Sequence, residues 1–539
     1  MILDIKGLQD IISWENAGVL LPKYNIADMR SATEASPSWV HFGAGNIFRG
    51  FIAALQQRLL NDNHVNNGII AVETFDHDII NDVFEPHDNL VLQVGLHRDG
   101  AIDKEVIASI AQGICADITN TQEWSQLIAI FNDIQLQMVS FTITEKGYSL
   151  TDVQGGYIPQ ILSDINGGPD VSIHAISVLT SLLLSRFHAG AHPIALVSMD
   201  NCNRNGDKLR DSVVQIARGW HDNNYVNEDF LCYITDNNRV SYPLSMIDKI
   251  TPSPSTVIFN ALTALGIDGM TPIVTNKNTF IAPFVNVEIP QYLVIEDKFP
   301  NGRPPLEKAG VYFTDRKTVL LTEQMKVTTC LNPLHTAMSI YGSLLGYDKI
   351  SNEMDDPEIV MLINRIGYTE GIPVVTNPGI ISPMDFIDEV IKQRLPNPFI
   401  PDTPQRINND ISQKIPVRFG ETIKAYTSHP ELDVNSLIGI PLALAGWMRY
   451  LLALDDNGNE MFVSSDPMFV SLQDLLASVR FGDPDSFTDQ LKPVLSNPVI
   501  FGIDLYSTGL GEKVENIFRE LIAEAGAVRR TLKKHLSAN

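Results

Sequence analysis

The feature that most constrains the fold is a strand, a glycine turn and a helix that follow one another near the N-terminus. The apolar residues 39–42 predict a buried strand, and residues 51–60 have helical spacing. Between them, Gly43 allows a tight turn and Gly45 lets the backbone approach a pyrophosphate at the helix N-terminus. This pattern predicts the first half of a dinucleotide-binding unit, although Phe48 occupies the third glycine position of GxGxxG.

A second predicted strand, residues 68–72, leads to Glu73, about 30 positions after Gly43. An acidic residue at that position accepts hydrogen bonds from the adenosine ribose and repels the 2′-phosphate of NADP. We therefore expect NAD as the cofactor. The alternative is that Glu73 is a solvated residue at a strand end. The predicted cofactor-binding residues in this part of the chain are Gly43, Ala44, Gly45, Asn46, Ile47, Phe48 and Glu73.

Strands and helices continue to alternate further along the chain. Strands are predicted at residues 90–94, 137–144 and 193–199, with helices at residues 121–131 and 171–187. Such alternation predicts an α/β fold with a doubly wound, mostly parallel sheet. Ligands bind at the carboxyl ends of the strands in these sheets, so residues at those ends are expected to share one crevice. These residues are Gly43, Glu73, Glu145 and Asn201.

The pattern becomes mainly helical after about residue 290. We therefore predict two domains, a Rossmann-like NAD-binding domain over residues 1–290 and a mainly α-helical substrate and catalytic domain over residues 291–539. The helices expected in the second domain cover residues 333–346, 356–367, 384–394, 436–452, 467–479 and 514–535.

A lysine, an asparagine and a histidine lie within ten residues at the start of this second domain. Asn332 and Pro333 suggest a helix start, with Asn332 as N-cap, and His335 shares a helix face with Asn332. With Lys326 just upstream, these groups suit proton transfer at an alcohol or carbonyl oxygen. The alternative is that Asn332 only caps the helix, His335 is a first-turn histidine and Lys326 is solvated.

The composition excludes several classes of function. The net charge of −25 argues against nucleic-acid binding and disfavours anionic membrane surfaces. No signal peptide is seen, and residues 436–452, the most apolar stretch, contain Pro441 and Arg449. The four cysteines form no CxxC pair, so we expect neither a metal site nor disulfides. We expect the protein to be cytoplasmic.

Several ordered motifs resemble those of the polyol-specific long-chain dehydrogenases, which include mannitol 2-dehydrogenase, fructuronate reductase and tagaturonate reductase. The resemblance extends from about Trp39 to at least Arg418. The motifs are the cofactor turn at residues 41–50, TxTExGY at 142–148, DNxxxNG at 200–206, MVDRITP at 246–252 and IEDxFxxGRP at 295–304.

The resemblance implies a metal-independent reaction in which Lys326 is the general acid and base, followed by Asn332 and His335. The family has four residues between this lysine and asparagine, whereas this chain has five. Within an α-helix one additional residue would rotate the lysine by roughly 100°. A loop or a bulge before the helix could absorb it.

The family also implies roles for the other polar residues. Asn201 and Asn332 would donate to the reacting oxygen, and His335 would position a neighbouring hydroxyl group. Asp248 would support this polar site, and Glu145 would lie on a water path for protons. The alternative for Glu145 is a solvent-exposed strand end.

Arg406 and Lys414, eight residues apart, resemble the family's substrate-contacting cations, and Lys146 is typical of its uronate-type members. A sugar acid needs a cation near its carboxylate. We therefore expect reduction of fructuronate by NADH to mannonate, by a monomer or small homo-oligomer. The alternatives are mannitol 2-dehydrogenase or another polyol dehydrogenase, a non-catalytic protein that binds NAD or a sugar, and a surface position for these three cations.

Overall fold

The computed structural model describes residues 1–152 and 154–537. The chain divides into two compact units, Met1–Leu320 and Leu321–Asn539. This division replaces the expected boundary near residue 290, because the strand Tyr292–Glu296 pairs with Ser245–Asp248 and with Tyr312–Thr314 inside the first unit. The Pro- and Gly-rich segment after Tyr292–Glu296 is therefore a connection between paired strands and not a linker between domains.

The first unit is built on a sheet of six strands, all paired in parallel. With the strands numbered along the chain, their order in the sheet is 3-2-1-4-5-6, the order of dinucleotide-binding domains. Apolar runs such as Ile194–Ser198 are buried along their whole length, as expected when helices cover both faces. In sheet order the strands are Ile110–Cys115, Ile69–Glu73, Trp39–Phe42, Met138–Phe141, Ile194–Ser198 and Val240–Ser241.

Helices connect successive strands of this sheet. The longer ones are Ala53–Asn61, Thr121–Asn132, Ala175–His188 and Asn205–Asp222. The remaining strands form three smaller sheets. The four-stranded sheet contains Val19–Leu20, Ile102–Ile107, Val91–Leu96 and Phe284–Glu288. The three-stranded sheet contains Ser245–Asp248, Tyr292–Glu296 and Tyr312–Thr314, and the two-stranded sheet contains Ile273–Val274 and Phe280–Ile281. The strand predicted at residues 90–94 thus lies outside the central sheet. Further α-helices are Ile11–Asn16, Ile26–Ala35, Thr144–Gly147, Pro159–Gly167, Glu228–Thr235 and Thr256–Ala264.

The second unit is helical, and its described residues form no strand. Its core contains Gly439–Tyr450, in which every residue is buried. Tyr341 donates its hydroxyl to the carbonyl oxygen of Leu442 over 2.7 Å, and a Cβ on Gly446 would lie only 2.8 Å from the Tyr341 ring. The principal helices are Arg316–Met325, which begins before the boundary, Asn332–Leu345, Pro357–Asn364, Pro383–Glu389, Glu421–Ser428, Gly439–Tyr450, Phe469–Leu475, Leu510–Leu521 and Ala527–Leu536.

The helices of this unit differ from prediction in two respects. The helix expected at residues 514–535 is interrupted at Gly526, whose φ of +76° is left-handed. Several helices also begin after or continue into π-helical turns, which side-chain spacing did not reveal: Lys326–Cys330, Arg365–Gly371, Val390–Arg394 and Pro416–Gly420. Within the described chain, no helix combines the length and apolar character needed to cross a membrane.

Candidate active site

The glycine turn, residues 43–48, follows the first strand of the central sheet at the point where the strand order reverses. Gly43 has φ +100°, and a Cβ there would lie 2.4 Å from the carbonyl oxygen of Thr142 on the adjacent strand connection. Apart from Gly45 itself and its nearest neighbours along the chain, no described atom lies within 4 Å of the position that a Cβ on Gly45 would take. The turn therefore requires glycine for its conformation at Gly43 and leaves space for a phosphate at Gly45.

The glycine turn presents only some of its predicted residues to a ligand. Ala44 and Phe48 are buried, and the Phe48 ring stacks on His41 with 4.4 Å between ring centroids. Gly45, Asn46 and Ile47 are partly exposed. The side chains of Ala44 and Phe48 thus support the turn, whereas its middle residues form the accessible face.

Glu73 connects the second strand to the glycine turn. Its buried carboxylate accepts the Ala44 N–H at Oε2 over 2.9 Å, and Oε1 accepts the N–H groups of Thr74 and Phe75. Glu73 is therefore not the solvated strand end of the alternative interpretation. A carboxylate oxygen accepts about two hydrogen bonds, so Oε2 retains capacity for a ribose hydroxyl.

Asp200 joins the carboxyl ends of the fourth and fifth strands, a role that the sequence did not indicate. Its carboxylate accepts the N–H groups of Ile143 and Thr144 over 3.0 and 2.9 Å and the Tyr148 hydroxyl over 2.5 Å. Burial raises the pKa of Asp200, and these three hydrogen bonds oppose that shift. Thr144 has φ +65°, an uncommon conformation for a β-branched residue, and the bond to Asp200 holds it.

Asn205 is a second connecting residue that was missed. Its buried amide donates to the carbonyl oxygen of Asp200 over 3.0 Å and to Ser245 Oγ over 2.9 Å, and its Oδ1 accepts the Ser245 N–H. It thereby ties the fifth strand to Ser245–Asp248. The available signal was its place in the DNxxxNG motif, but its partner lies 40 residues away.

The remaining predicted residues of the first unit lie at the same ends of the strands. Asn201 is exposed beside Asp200, and Asp248 is buried at the end of Ser245–Asp248. Glu145 and Lys146 are exposed, and Glu145 forms an ion pair with Lys208. Exposed ion pairs of this kind contribute little to stability. The exposure of Lys146 agrees with the alternative of a surface cation.

In the second unit, the lysine segment, residues 326–335, begins with a π-helical turn. Lys326 is 3% exposed, and the Leu331 N–H donates to its carbonyl oxygen over 3.1 Å. The following helix begins at Asn332, with Leu331 in the cap position and no side-chain cap. The prediction that Asn332 is the N-cap is therefore wrong, because the π turn leads into the helix without an extended residue at Asn332. The alternative in which Lys326 is solvated is also excluded.

Asn332 and His335 are partly exposed on one face of Asn332–Leu345. The pKa of His335 is lowered to about 4, mainly by burial. The guanidinium groups of Arg394, Arg418 and Arg406 contribute to this lowering, and the Asp402 carboxylate opposes it. The imidazole is therefore neutral near pH 7 and acts through hydrogen bonds.

The predicted cations Arg406 and Lys414 belong to the same group of charges. Arg406 donates Nε and Nη2 to the two carboxylate oxygens of buried Asp402 over 2.6 and 2.5 Å. Lys414 donates to backbone carbonyl oxygens, over 3.2 Å in the case of Ile407. Burial lowers the pKa of Lys414 to about 8, and Arg418 and Arg406 contribute to that shift. Arg418 is the member of this cluster to which the sequence assigned no role.

In the part of the chain that the structure describes, no group of three or more His, Cys, Asp or Glu side chains could hold a metal ion. The four cysteines are unpaired there.

The Rossmann sheet, the glycine turn and the helical second unit together define a two-domain dehydrogenase. A model of the mannitol dehydrogenase Rossmann domain matches residues 37–308, and one of the mannitol dehydrogenase C-terminal domain matches residues 319–522. The chain therefore belongs to the mannitol dehydrogenase family. The predictions of fold class, family and enzyme class are confirmed.

Individual relatives agree with this assignment. The chain is 48% identical over 536 residues to a D-mannonate oxidoreductase of Thermotoga maritima, with 99% of each sequence covered. It is 30% identical to a mannitol dehydrogenase of Saccharomyces cerevisiae over 83% of each. Mannitol 2-dehydrogenase of Pseudomonas fluorescens, solved as a ternary complex with NAD and D-mannitol, is 26% identical with a TM-score of 0.70 over 100% of both chains.

Proposed function

We propose that the protein interconverts D-fructuronate and D-mannonate with NAD as the cofactor. The observation that carries the proposal is the similarity to D-mannonate oxidoreductase over 99% of both sequences. The charges beside His335 agree with a substrate that bears a carboxylate, since three guanidinium groups and one carboxylate act on that imidazole.

The first unit fits NAD. The open position at Gly45 and the partly exposed residues Asn46 and Ile47 suit the pyrophosphate, and Oε2 of Glu73 suits a ribose hydroxyl. A 2′-phosphate would meet the same carboxylate, which favours NAD over NADP. NAD, when bound, supplies the acceptor of the hydride in oxidation, and NADH supplies its donor in reduction.

The second unit supplies the proton chemistry. In the oxidation of mannonate, Lys326 takes the hydroxyl proton as the carbonyl group forms, and in the reduction of fructuronate it returns that proton to the oxygen. An amine held out of water favours the neutral form that a base requires. Asn332 donates to the oxygen as charge develops, and neutral His335 positions a neighbouring hydroxyl group.

A second candidate is the interconversion of mannitol and fructose, favoured by the relatives that are named for mannitol. The test measures kcat/KM for NADH oxidation with fructuronate, tagaturonate and fructose, and for NAD reduction with mannonate and mannitol. We expect fructuronate and mannonate to be the best substrates, with product identity checked by NMR. A higher kcat/KM for fructose than for fructuronate would overturn the proposal in favour of mannitol 2-dehydrogenase.

We also propose a cytoplasmic location and a monomeric or small homo-oligomeric state. Unpaired cysteines in the described chain suit a reducing compartment. Light scattering after gel filtration measures the oligomeric state, and a particle larger than a tetramer would contradict the proposal.

A further inference from the structure

Arg418 lies against the helix face that carries Asn332 and His335. Its Nη1 donates to the hydroxyl oxygen of Thr336, the residue after His335. Thr336 in turn donates to the carbonyl oxygen of Asn332 over 3.0 Å. The guanidinium group is thus fixed one helical turn from Asn332, and it belongs to the π-helical turn Pro416–Gly420.

Arg418 differs from the neighbouring cations Arg406 and Lys414 in the groups that its side chain binds. Arg406 is balanced by the bidentate pair with Asp402, and Lys414 is held by backbone carbonyl oxygens. Arg418 bonds to a neutral hydroxyl group and forms no ion pair with any residue in the described ranges. It is partly buried, and burial alone lowers its pKa to about 10. A partly desolvated guanidinium without a carboxylate is a site for an anion.

We propose that Arg418 binds the carboxylate of the substrate and thereby sets the preference for a keto-sugar acid over a neutral ketose. The proposal rests on the proposed function, whose reacting carbonyl is the one that Lys326 and Asn332 serve. Arg418 is thus assigned the binding of the carboxylate. The sequence had favoured Lys146, Arg406 and Lys414 for this role.

The spacing agrees with the length of the substrate. In a six-carbon keto-acid with its ketone at the second carbon, four C–C bonds of about 1.5 Å separate the ketone carbon from the carboxylate carbon, roughly 5 Å when extended. Asn332 and Thr336 are four residues apart, which corresponds to about 6 Å along the helix. A substrate whose ketone oxygen is bound by Asn332 can therefore place its carboxylate at the guanidinium group beside Thr336.

The test compares Arg418→Gln with wild type through the ratio of kcat/KM for fructuronate to that for fructose. We expect this ratio to fall by roughly 10- to 100-fold, mainly through KM for fructuronate, because a charge-assisted hydrogen bond is lost. Arg418→Lys keeps the charge without the bidentate geometry and should recover part of the ratio. Arg480→Gln, which removes an exposed arginine of the same unit, should leave the ratio unchanged.

An unchanged ratio would overturn the role of Arg418, whether kcat/KM falls equally for both substrates or for neither. If Arg418→Gln does not fold, as judged by circular dichroism, the ratio for Arg418→Lys decides: a wild-type ratio refutes the proposal and a reduced ratio supports it. Failure of the proposed function is distinguishable, because it would appear as a preference of the wild-type enzyme for fructose.

Discussion

The backbone N–H of Leu331 donates a hydrogen bond to the carbonyl oxygen of Lys326 over 3.1 Å. The donor lies five residues after the acceptor, so Lys326–Cys330 is a π-helical turn with one residue more than an α-helical turn. Five residues separate Lys326 from Asn332, one more than the resemblance to the family leads us to expect. The wide turn absorbs that residue before Asn332–Leu345 begins.

Insertion of one alanine after Val327 should therefore misplace the lysine. The π-helical turn already holds one additional residue, so a second one rotates Lys326 by roughly 100° relative to Asn332. We expect kcat to fall at least about 100-fold, because small displacements of a catalytic group cost that much. Deletion of Val327 restores the four-residue spacing of the family with an α-helical turn and is the matched control, with circular dichroism as the check of folding. Near-normal turnover of the insertion variant would show that this register is not needed.

The sequence predicted the fold class of the first unit and four strands of its central sheet because those signals are local, but it did not predict Ile110–Cys115 or Val240–Ser241. Buried strands, glycine turns and intervening helices each appear as short patterns, and a mostly parallel sheet follows from their alternation. The same locality placed Asn332 and His335 on one helix face. The boundary near residue 290 failed because pairing of Tyr292–Glu296 with Ser245–Asp248 is a long-range contact.

The remaining features of the site depend on contacts that no local pattern records. Asp200 binds N–H groups more than 50 residues earlier, and Arg418 reaches Thr336 across 82 positions. A π-helical turn shifts the side-chain spacing only once, so the apolar spacing did not reveal it. The available signal was the one additional residue between Lys326 and Asn332. Lys146 resembles a uronate-type residue in sequence, but its exposure is a property of the fold.

Replacement of Lys326 by alanine should lower kcat by roughly 10²- to 10⁴-fold, the usual contribution of general acid–base catalysis. NADH affinity, measured by fluorescence titration, should change little, since the predicted cofactor-binding residues belong to the first unit. Lys317→Ala, an exposed lysine in Arg316–Met325, is the matched control and should retain wild-type kcat. A Lys326→Ala enzyme with normal kcat would exclude this lysine as the acid and base.

Glu73→Ser should erode the preference for NAD over NADP. It removes the carboxylate that would repel the 2′-phosphate, and it also leaves the Ala44 N–H without its acceptor. An unsatisfied buried N–H costs about 1–3 kcal/mol, so we expect lower thermal stability together with the changed cofactor ratio. Glu85→Ser, at an exposed glutamate, should change neither property. Equal kcat/KM of the wild-type enzyme with NADH and NADPH would contradict the assignment of Glu73 to the ribose.

The stability of the second unit should depend on pH through His335. Its pKa is lowered from the ordinary value of 6.5 to about 4 in the folded protein, mainly by burial and then by the neighbouring guanidinium groups. Between these values the unfolded chain binds more protons than the folded one, so the free energy of unfolding rises with pH. The contribution of His335 is complete above pH 6.5, is lost as the pH falls to 4, and amounts to at most about 3 kcal/mol.

Thermal unfolding from pH 4.5 to 7.5 should therefore show a weaker pH dependence for His335→Asn than for wild type. Because carboxylates titrate in the same range, the difference from the exposed-histidine control His429→Asn is the measured quantity, and parallel curves for the two variants would show that His335 does not titrate with a lowered pKa.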